Sequence, residues 1–229
     1  MHMLAVLFIA LGFFCSLVAA NNKQVEILNK CGKTLTVGVL TNGASKPEQS
    51  FDLTPHASQT ISKQDTWGGR IWGRYQCSGA KSAKCTNPPG ADNPASLAEF
   101  FFKGAYGKDF YDISFVDGYN LPMKIEPIDP SHTKGYTCGA PACNKMPDCP
   151  PEYAIKDATG NVVSCQSSCS KTGAAEHCCT GQYDHPEICK PDHRSNTVKD
   201  TCPDAYSFAY DDQKSTYQCT TQKYVVTFC

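Results

Sequence analysis

Cysteine content constrains this chain more than any other feature of its sequence. The 229 residues include fifteen cysteines, and fourteen of them lie from Cys31 to Cys229. This even number allows complete pairing into seven disulfides, which persist in oxidising compartments outside the cytosol. Zinc binding would need paired C-x-x-C or Cys/His sets, and no C-x-x-C spacing occurs here. The cysteines therefore predict a secreted, extracellular, disulfide-bonded protein without a zinc site. We expect it to use no metal and no cofactor.

The fifteenth cysteine, Cys15, lies in an apolar run over residues 4–20 that ends in Val18, Ala19 and Ala20. An apolar run that ends in small residues predicts a signal peptide over residues 1–20. The run is too short for a typical membrane-spanning helix, and no later run of that length follows. A net charge of −1 gives no electrostatic basis for binding nucleic acid or anionic membranes. We therefore expect neither nucleic-acid binding nor stable membrane insertion.

Most of the remaining chain has the pattern of an antiparallel β protein. Runs of β-branched and aromatic residues alternate with Gly, Asn and Pro, which is typical of strands joined by turns. Strands are predicted at residues 25–28, 34–40, 70–74, 98–102, 110–116, 123–128, 206–210 and 224–229. The segment 76–95 reads as a loop closed by a short disulfide.

Residues 138–202 differ from the rest because they contain most of the cysteines and few long apolar runs. This composition predicts a small cross-linked lobe beside the strands. A helix is predicted over residues 162–171, which would place Cys165 and Cys169 on one helical face.

Six segments together carry a resemblance to a known family. They are GRIWGR at 69–74, SLAEFFF at 96–102, GKDFYDISFVDGYNLPM at 107–123, EHCCTG at 176–181, CPDAYSFAYDD at 202–212 and YVVTFC at 224–229. In order and spacing they resemble the thaumatin-like proteins, which include pathogenesis-related group 5 proteins and osmotin. The resemblance implies a mainly β fold, in which an acidic cleft separates an antiparallel β-sandwich core from a disulfide-rich, partly helical lobe. It places the core at about 21–75, 96–130 and 203–229 and the lobe at about 138–202. It also implies that the protein is a monomer.

The resemblance also implies a disulfide pairing, which the sequence by itself leaves open. The implied pairs are Cys31–Cys229, Cys77–Cys85, Cys138–Cys219, Cys143–Cys202, Cys149–Cys165, Cys169–Cys178 and Cys179–Cys189. Most large members of the family have one further bridge, in the stretch that is shortened here to KCTNPP at 84–89. Ligand choice by the adjacent part of the cleft therefore does not follow from the family.

The antifungal members share five cleft residues, and each has a match in this chain: Arg70, Glu99, Asp112, Asp117 and Asp212. Glycoside hydrolysis needs one protonated carboxyl and one ionised carboxylate. An adjacent arginine would keep neighbouring carboxylates ionised. Among these residues we predict Glu99 as the acid and Asp117 as the nucleophile or base of any hydrolytic reaction.

The backbone between two of these acids is a separate prediction. Asp112 and Asp117 are five residues apart, so in an unbroken strand their side chains would point to opposite faces of the sheet. If both line one cleft, the chain has to bend between Ile113 and Gly118. The alternative is a regular strand with only one of the two acids in the cleft. The turn-prone residues at 117–120 favour the bend.

Aromatic residues near the acids are candidates for stacking on sugar rings, although alternate ones must fill the sandwich core. They are Phe100, Phe102, Tyr106, Phe110, Tyr111, Phe115 and Tyr119.

Three functions remain open from the sequence. The first is a secreted antifungal defence protein that recognises β-1,3-glucan or another fungal wall polysaccharide. The second is a weak endo-β-1,3-glucanase with Glu99 and Asp117 as its carboxylate pair. The third is a protein inhibitor or receptor ligand on the same scaffold.

Overall fold

The computed structural model describes residues 22–75, 77, 79 and 82–229. The predicted signal peptide at 1–20 lies outside the described residues. In the described part the strands are β1 (Lys23–Asn29), β2 (Leu35–Thr41), β3 (Gln49–Leu53), β4 (Ser58–Lys63), β5 (Gly68–Arg74), β6 (Leu97–Phe101), β7 (Asp109–Ser114), β8 (Gly118–Tyr119), β9 (Met123–Ile128), β10 (Ala142–Cys143), β11 (Ala154–Lys156), β12 (Val162–Gln166), β13 (Ala205–Tyr206), β14 (Tyr217–Cys219) and β15 (Lys223–Phe228). The mainly β fold predicted from the sequence is confirmed.

Helices are short and lie mostly among the lobe residues. They are α1 (Ala83–Thr86), α2 (Ser168–Thr172), α3 (Ala175–Cys178), α4 (His193–Thr201) and α5 (Asp212–Ser215), with 3₁₀ turns at Ala105–Gly107, Pro151–Tyr153 and Gly181–Tyr183.

The predicted helix over 162–171 is wrong in its first half. Residues 162–166 form β12, which pairs with β11 on one side and β8 on the other. The helix begins only at Ser168, because the side chain of Ser167 caps it by accepting a hydrogen bond from the Ser170 amide. Cys165 and Cys169 therefore belong to a strand and a helix and do not share a helical face.

Two large sheets pack face to face around one core. The first has the strand order β10-β9-β15-β1-β4, and the second has the path β13-β7-β6-β5-β2-β3 with β14 paired to β7. Within the first sheet, β1 and β15 are parallel neighbours. Aromatic rings join the sheets across the core: the centroid of Phe100 lies 5.4 Å from that of Tyr224, and the centroid of Phe102 lies 5.7 Å from it. The third sheet, β11-β12-β8, connects the lobe to the end of β7.

A buried ion pair also crosses between the sheets. The ammonium of Lys23 in β1 lies 2.6 Å from the carboxylate of Asp109 in β7, and both side chains are less than a tenth exposed. Asp109 also accepts hydrogen bonds from the Tyr224 hydroxyl at 2.7 Å and from the Lys103 amide at 3.1 Å. Every oxygen of the carboxylate thus has a partner, which a buried charge requires.

Seven disulfides link the cysteines of the described residues, and each joins the two cysteines that the resemblance implies. The bridge from Cys31 to Cys229 joins residues 198 positions apart, whereas Cys77 and Cys85 are eight positions apart. The adjacent Cys178 and Cys179 belong to different bridges.

Two predicted strands are shorter than expected. The strand expected over 110–116 ends at Ser114, and the one expected over 206–210 is only the two-residue β13. In both places the chain leaves the sheet to form walls of the pocket described below. No helix in the described part reaches the length and hydrophobicity that a membrane span requires.

Candidate functional site: an acidic pocket on the outer face of the sandwich

Three charged residues form a row across neighbouring strands. Arg70 in β5 pairs with Glu99 in β6, and Glu99 pairs with Asp112 in β7. Residues directly opposite each other in paired strands point to the same face, so the three side chains lie side by side. The next row, Ile71, Ala98 and Ile113, points the other way and is fully buried in the core. The row of charges therefore lies on the outer face of the larger sheet.

A turn brings Asp117 to the same place. β7 ends at Ser114, and the amide of Gly118 donates to the carbonyl of Phe115 at 2.9 Å, which closes a turn. Gly118 has a φ of +115°, and a Cβ there would lie 2.2 Å from the Cys165 carbonyl oxygen, so only glycine fits. The predicted bend between Ile113 and Gly118 is confirmed.

The lobe holds this turn from outside. The Ser170 hydroxyl in α2 donates to the main-chain carbonyl of Asp117 at 2.7 Å. Gln166 in β12 pairs with Gly118 in β8. The position of Asp117 thus depends on the cross-linked lobe as well as on β7.

The residues described above surround an open pocket of about 410 Å³. Its walls are Arg70, Leu97, Glu99, Asp112, Ser114, Val116, Asp117, Tyr206 and Ala209. Four of the five predicted site residues line it. The fifth, Asp212, is exposed at the rim, where its carboxylate accepts a hydrogen bond from the Tyr206 hydroxyl at 2.8 Å.

Burial raises the pKa of all three carboxyls in the pocket. The pKa of Asp112 lies well above its ordinary value, mainly because of burial and further because of the negative charges of Glu99 and Asp212. Burial also raises the pKa of Glu99, although Arg70 and a hydrogen bond with Ser114 oppose the shift. Asp117 has a pKa raised by burial and partly restored by Arg70. The arginine expected to keep these carboxyls ionised is therefore outweighed by burial.

This arrangement offers both hydrogen-bond donors and acceptors in a small space. One carboxylate oxygen of Asp112, Oδ1, is buried and has no hydrogen-bond partner among the described residues. A carboxyl with a raised pKa donates one hydrogen bond when protonated and accepts when ionised, and Arg70 donates in either case. Such a set matches the hydroxyl groups of a polyhydroxylated ligand.

Sequence reasoning missed Tyr206 and Ser114, which complete the pocket. Tyr206 pairs in parallel with Ser114 through β13 and β7, and its hydroxyl also contacts Thr216. Both residues lie inside the segments that carry the family resemblance, but their contact depends on a pairing of strands some ninety residues apart, which no local pattern predicts.

Most of the aromatic candidates are not available to a ligand. Phe100, Phe102, Tyr111, Phe115 and Tyr119 are buried. Tyr106 is 98% exposed in a turn, and Phe110 is partly buried.

Comparison with known proteins gives a consistent result. The Thaumatin family model matches residues 29–229. Thaumatin-like protein 1 of Pyrus pyrifolia is 37% identical over 241 aligned positions, covering 98% of this chain and 98% of that protein. Pathogenesis-related protein 5 of Arabidopsis thaliana is 36% identical over 239 positions, covering 100% of this chain and 97% of that protein.

Among solved structures, a laminaripentaose-producing β-1,3-glucanase in complex with laminaritetraose aligns with a TM-score of 0.61 at 12% identity. The alignment covers 90% of this chain and 98% of that one. At this identity the likeness shows a shared fold.

Proposed function

This chain belongs to the thaumatin family, and from that premise we propose that it is a secreted defence protein that recognises β-1,3-glucan of fungal cell walls in its acidic pocket. The observation that carries the proposal is the row of Arg70, Glu99 and Asp112 on three paired strands, with Asp117 brought beside it by a turn.

Glucan suits the pocket because its hydroxyl groups both donate and accept hydrogen bonds. Arg70 supplies donors, while the carboxyls of Glu99 and Asp117 supply acceptors when ionised. The β-1,3-glucanase of the same fold, which holds laminaritetraose, supports glucan as the first ligand to test.

The pKa shifts of the pocket carboxyls favour glucan binding without efficient hydrolysis. A glycosidase needs one carboxyl with a raised pKa and a second that stays ionised. Burial raises the pKa of Asp112, Glu99 and Asp117, and it raises that of Asp112 furthest, so none of the three has the lowered pKa that would hold a nucleophile or base ionised.

A weak glucanase is the second candidate, because one observation favours it. Glu99 has the raised pKa of a general acid, and Arg70 partly restores ionisation of Asp117, the candidate nucleophile or base. Changing Glu99→Gln removes the transferable proton but keeps the shape of the side chain. We expect this variant to lose any release of reducing sugar from linear β-1,3-glucan while its binding stays within about threefold of wild type, less than one ordinary hydrogen bond.

The deciding experiment is a pull-down on insoluble β-1,3-glucan, with β-1,4-glucan as the control ligand. We expect wild type to bind the first ligand selectively. Arg70→Ala should bind at least about tenfold more weakly, because a charge-assisted hydrogen bond is worth about 1.5 to 3 kcal/mol. Lys124→Ala is the matched control, since it removes an exposed cation remote from the pocket. Wild type that neither binds nor hydrolyses glucan would overturn the proposal and leave the inhibitor or receptor-ligand function.

A further inference from the structure

A second groove, which we call the end groove, lies at one end of the sandwich and has a volume of about 580 Å³. Exposed amide side chains of Asn42, Gln49 and Gln64 line it, together with Trp67, Gly68 and Phe101. Amides beside aromatic rings form a lining that can hold a polar ligand with an apolar face. None of these residues belongs to the acidic pocket.

The end groove adjoins the acidic pocket along the same strands. Gly68 and Phe101 are paired across β5 and β6, as are Arg70 and Glu99. In each strand the two residues are two positions apart, so they point to the same face and are separated by about 6.6 Å. A chain molecule that leaves the pocket in this direction meets Phe101 next.

The ring of Phe101 is both exposed and supported. It is 54% exposed, although a single exposed ring is common on protein surfaces and has no meaning alone. Here two glycines bring the backbone close to the ring. A Cβ on Gly68 would lie 2.9 Å from a carbon of the ring, and one on Gly104 would also lie 2.9 Å from it. Any other residue at these positions would push the ring away, so the glycines allow it to rest against the backbone.

Hydrogen bonds fix the far wall of the end groove. The indole of Trp67 donates to the Thr41 hydroxyl at 2.8 Å, and this hydroxyl donates to Glu48 at 2.8 Å. Glu48 in turn pairs with the buried Lys63, whose ammonium lies 5.1 Å from the centre of a Trp67 ring. A wall that is already ordered loses little conformational entropy when a ligand binds.

We propose that the end groove is a second sugar subsite, which holds the part of a β-1,3-glucan chain that extends beyond the acidic pocket. Phe101 stacks on the apolar face of one glucose ring, and the amides of Asn42, Gln49 and Gln64 bond to hydroxyl groups of the next. This inference rests on the proposed function. With two subsites, the protein would bind long glucan chains in preference to chain ends or short sugars.

The test compares affinity across ligand length. Linear β-1,3-gluco-oligosaccharides of two to seven units are titrated into the full-length mature protein and into Phe101→Ala, Arg70→Ala and Tyr106→Ala. Tyr106→Ala is the matched control, because it removes a ring that is 98% exposed and does not line the end groove. Thermal unfolding of each variant checks that it is folded.

We expect wild-type affinity to increase with length, and Phe101→Ala to bind the longest oligosaccharide about tenfold more weakly, which corresponds to 1.4 kcal/mol. The same variant should bind the disaccharide as wild type does, and Tyr106→Ala should match wild type at every length. A Phe101→Ala variant with unchanged affinity at every length, or with an equal loss for the disaccharide, would overturn the subsite.

The two proposals fail in different ways. If Arg70→Ala loses binding while Phe101→Ala does not, the acidic pocket binds glucan and the subsite is wrong. If Phe101→Ala loses the length dependence while Arg70→Ala binds normally, the end groove binds glucan and the acidic pocket is not the primary site. Wild type that binds none of these ligands refutes both.

Discussion

Removing the negative charge of Asp109 tests the buried link between the two sheets. The substitution Asp109→Asn keeps the shape of the side chain but leaves the ammonium of Lys23 buried without a counter-ion. Lys23 would retain the Thr221 carbonyl, to which it donates at 2.7 Å, as a neutral partner. The Tyr224 hydroxyl would lose a charged acceptor at the same time.

Breaking a buried ion pair in this way costs about 3 to 5 kcal/mol. For a domain of this size, each kcal/mol lowers the melting temperature by about 2 to 4 °C. We therefore expect the melting temperature to decrease by about 6 to 20 °C and the unfolding free energy at pH 7 to decrease by the full amount.

The assay is denaturant unfolding in non-reducing buffer, so that all disulfides stay intact in both states. Glu126→Gln is the control, because the pair of Lys124 and Glu126 is exposed and should be worth less than about 1 kcal/mol. Replacing both members of the buried pair, as Lys23→Met with Asp109→Leu, should recover much of the lost stability. If Asp109→Asn costs no more than Glu126→Gln, the reasoning about this pair is refuted.

Two further predictions concern Asp112, which lines the acidic pocket, and Gly118, which ends the turn that positions Asp117. Because the folded state raises the pKa of Asp112, its contribution to stability is complete below the unfolded pKa and is lost as the pH increases through the folded value. The stability of Asp112→Asn relative to wild type should therefore increase between pH 4 and pH 7. The expected increase is about 1.4 kcal/mol for each unit by which folding raises the pKa. An equal difference in unfolding free energy between the two proteins at pH 4 and at pH 7 would contradict this. Gly118→Ala should lower the unfolding free energy by about 1 to 3 kcal/mol and weaken glucan binding. The alanine would have a positive φ, and its Cβ would clash with the Cys165 carbonyl oxygen. Gly90→Ala, where a Cβ would contact nothing within 4 Å, is its control, and similar losses in both variants would argue against a strained turn.

The sandwich strands could be predicted because apolar residues recur at alternate positions along several of them, and this pattern is local in the sequence. β1 and β15 have every second residue buried, and this period of two is visible in the sequence. The error at 162–171 has a tertiary cause. Val162 and Val163 favour a strand, and β12 pairs with β8 and β11. Both partners lie outside residues 162–171, so the local pattern there does not predict the pairing.

The residues of the candidate site could be predicted from the sequence only through the family resemblance. Arg70, Glu99 and Asp112 become neighbours through the register of three strands, and no local pattern specifies that register across long loops. The bend before Gly118 needed less. Once the resemblance placed Asp112 and Asp117 in one cleft, their odd spacing and the turn-prone segment after Val116 predicted it. The direction of the pKa shifts depended on burial, so it required the structure.

The parallel pairing of β1 with β15 has a consequence for biosynthesis. β1 is among the first segments to leave the ribosome, yet its parallel partner is made almost 200 residues later. Until then one edge of β1 stays open, and contacts of such long range slow folding. A stop codon anywhere before residue 223 would leave the five-stranded sheet without its central strand. Truncated products should therefore fail to reach the native fold, however much of the acidic pocket they encode.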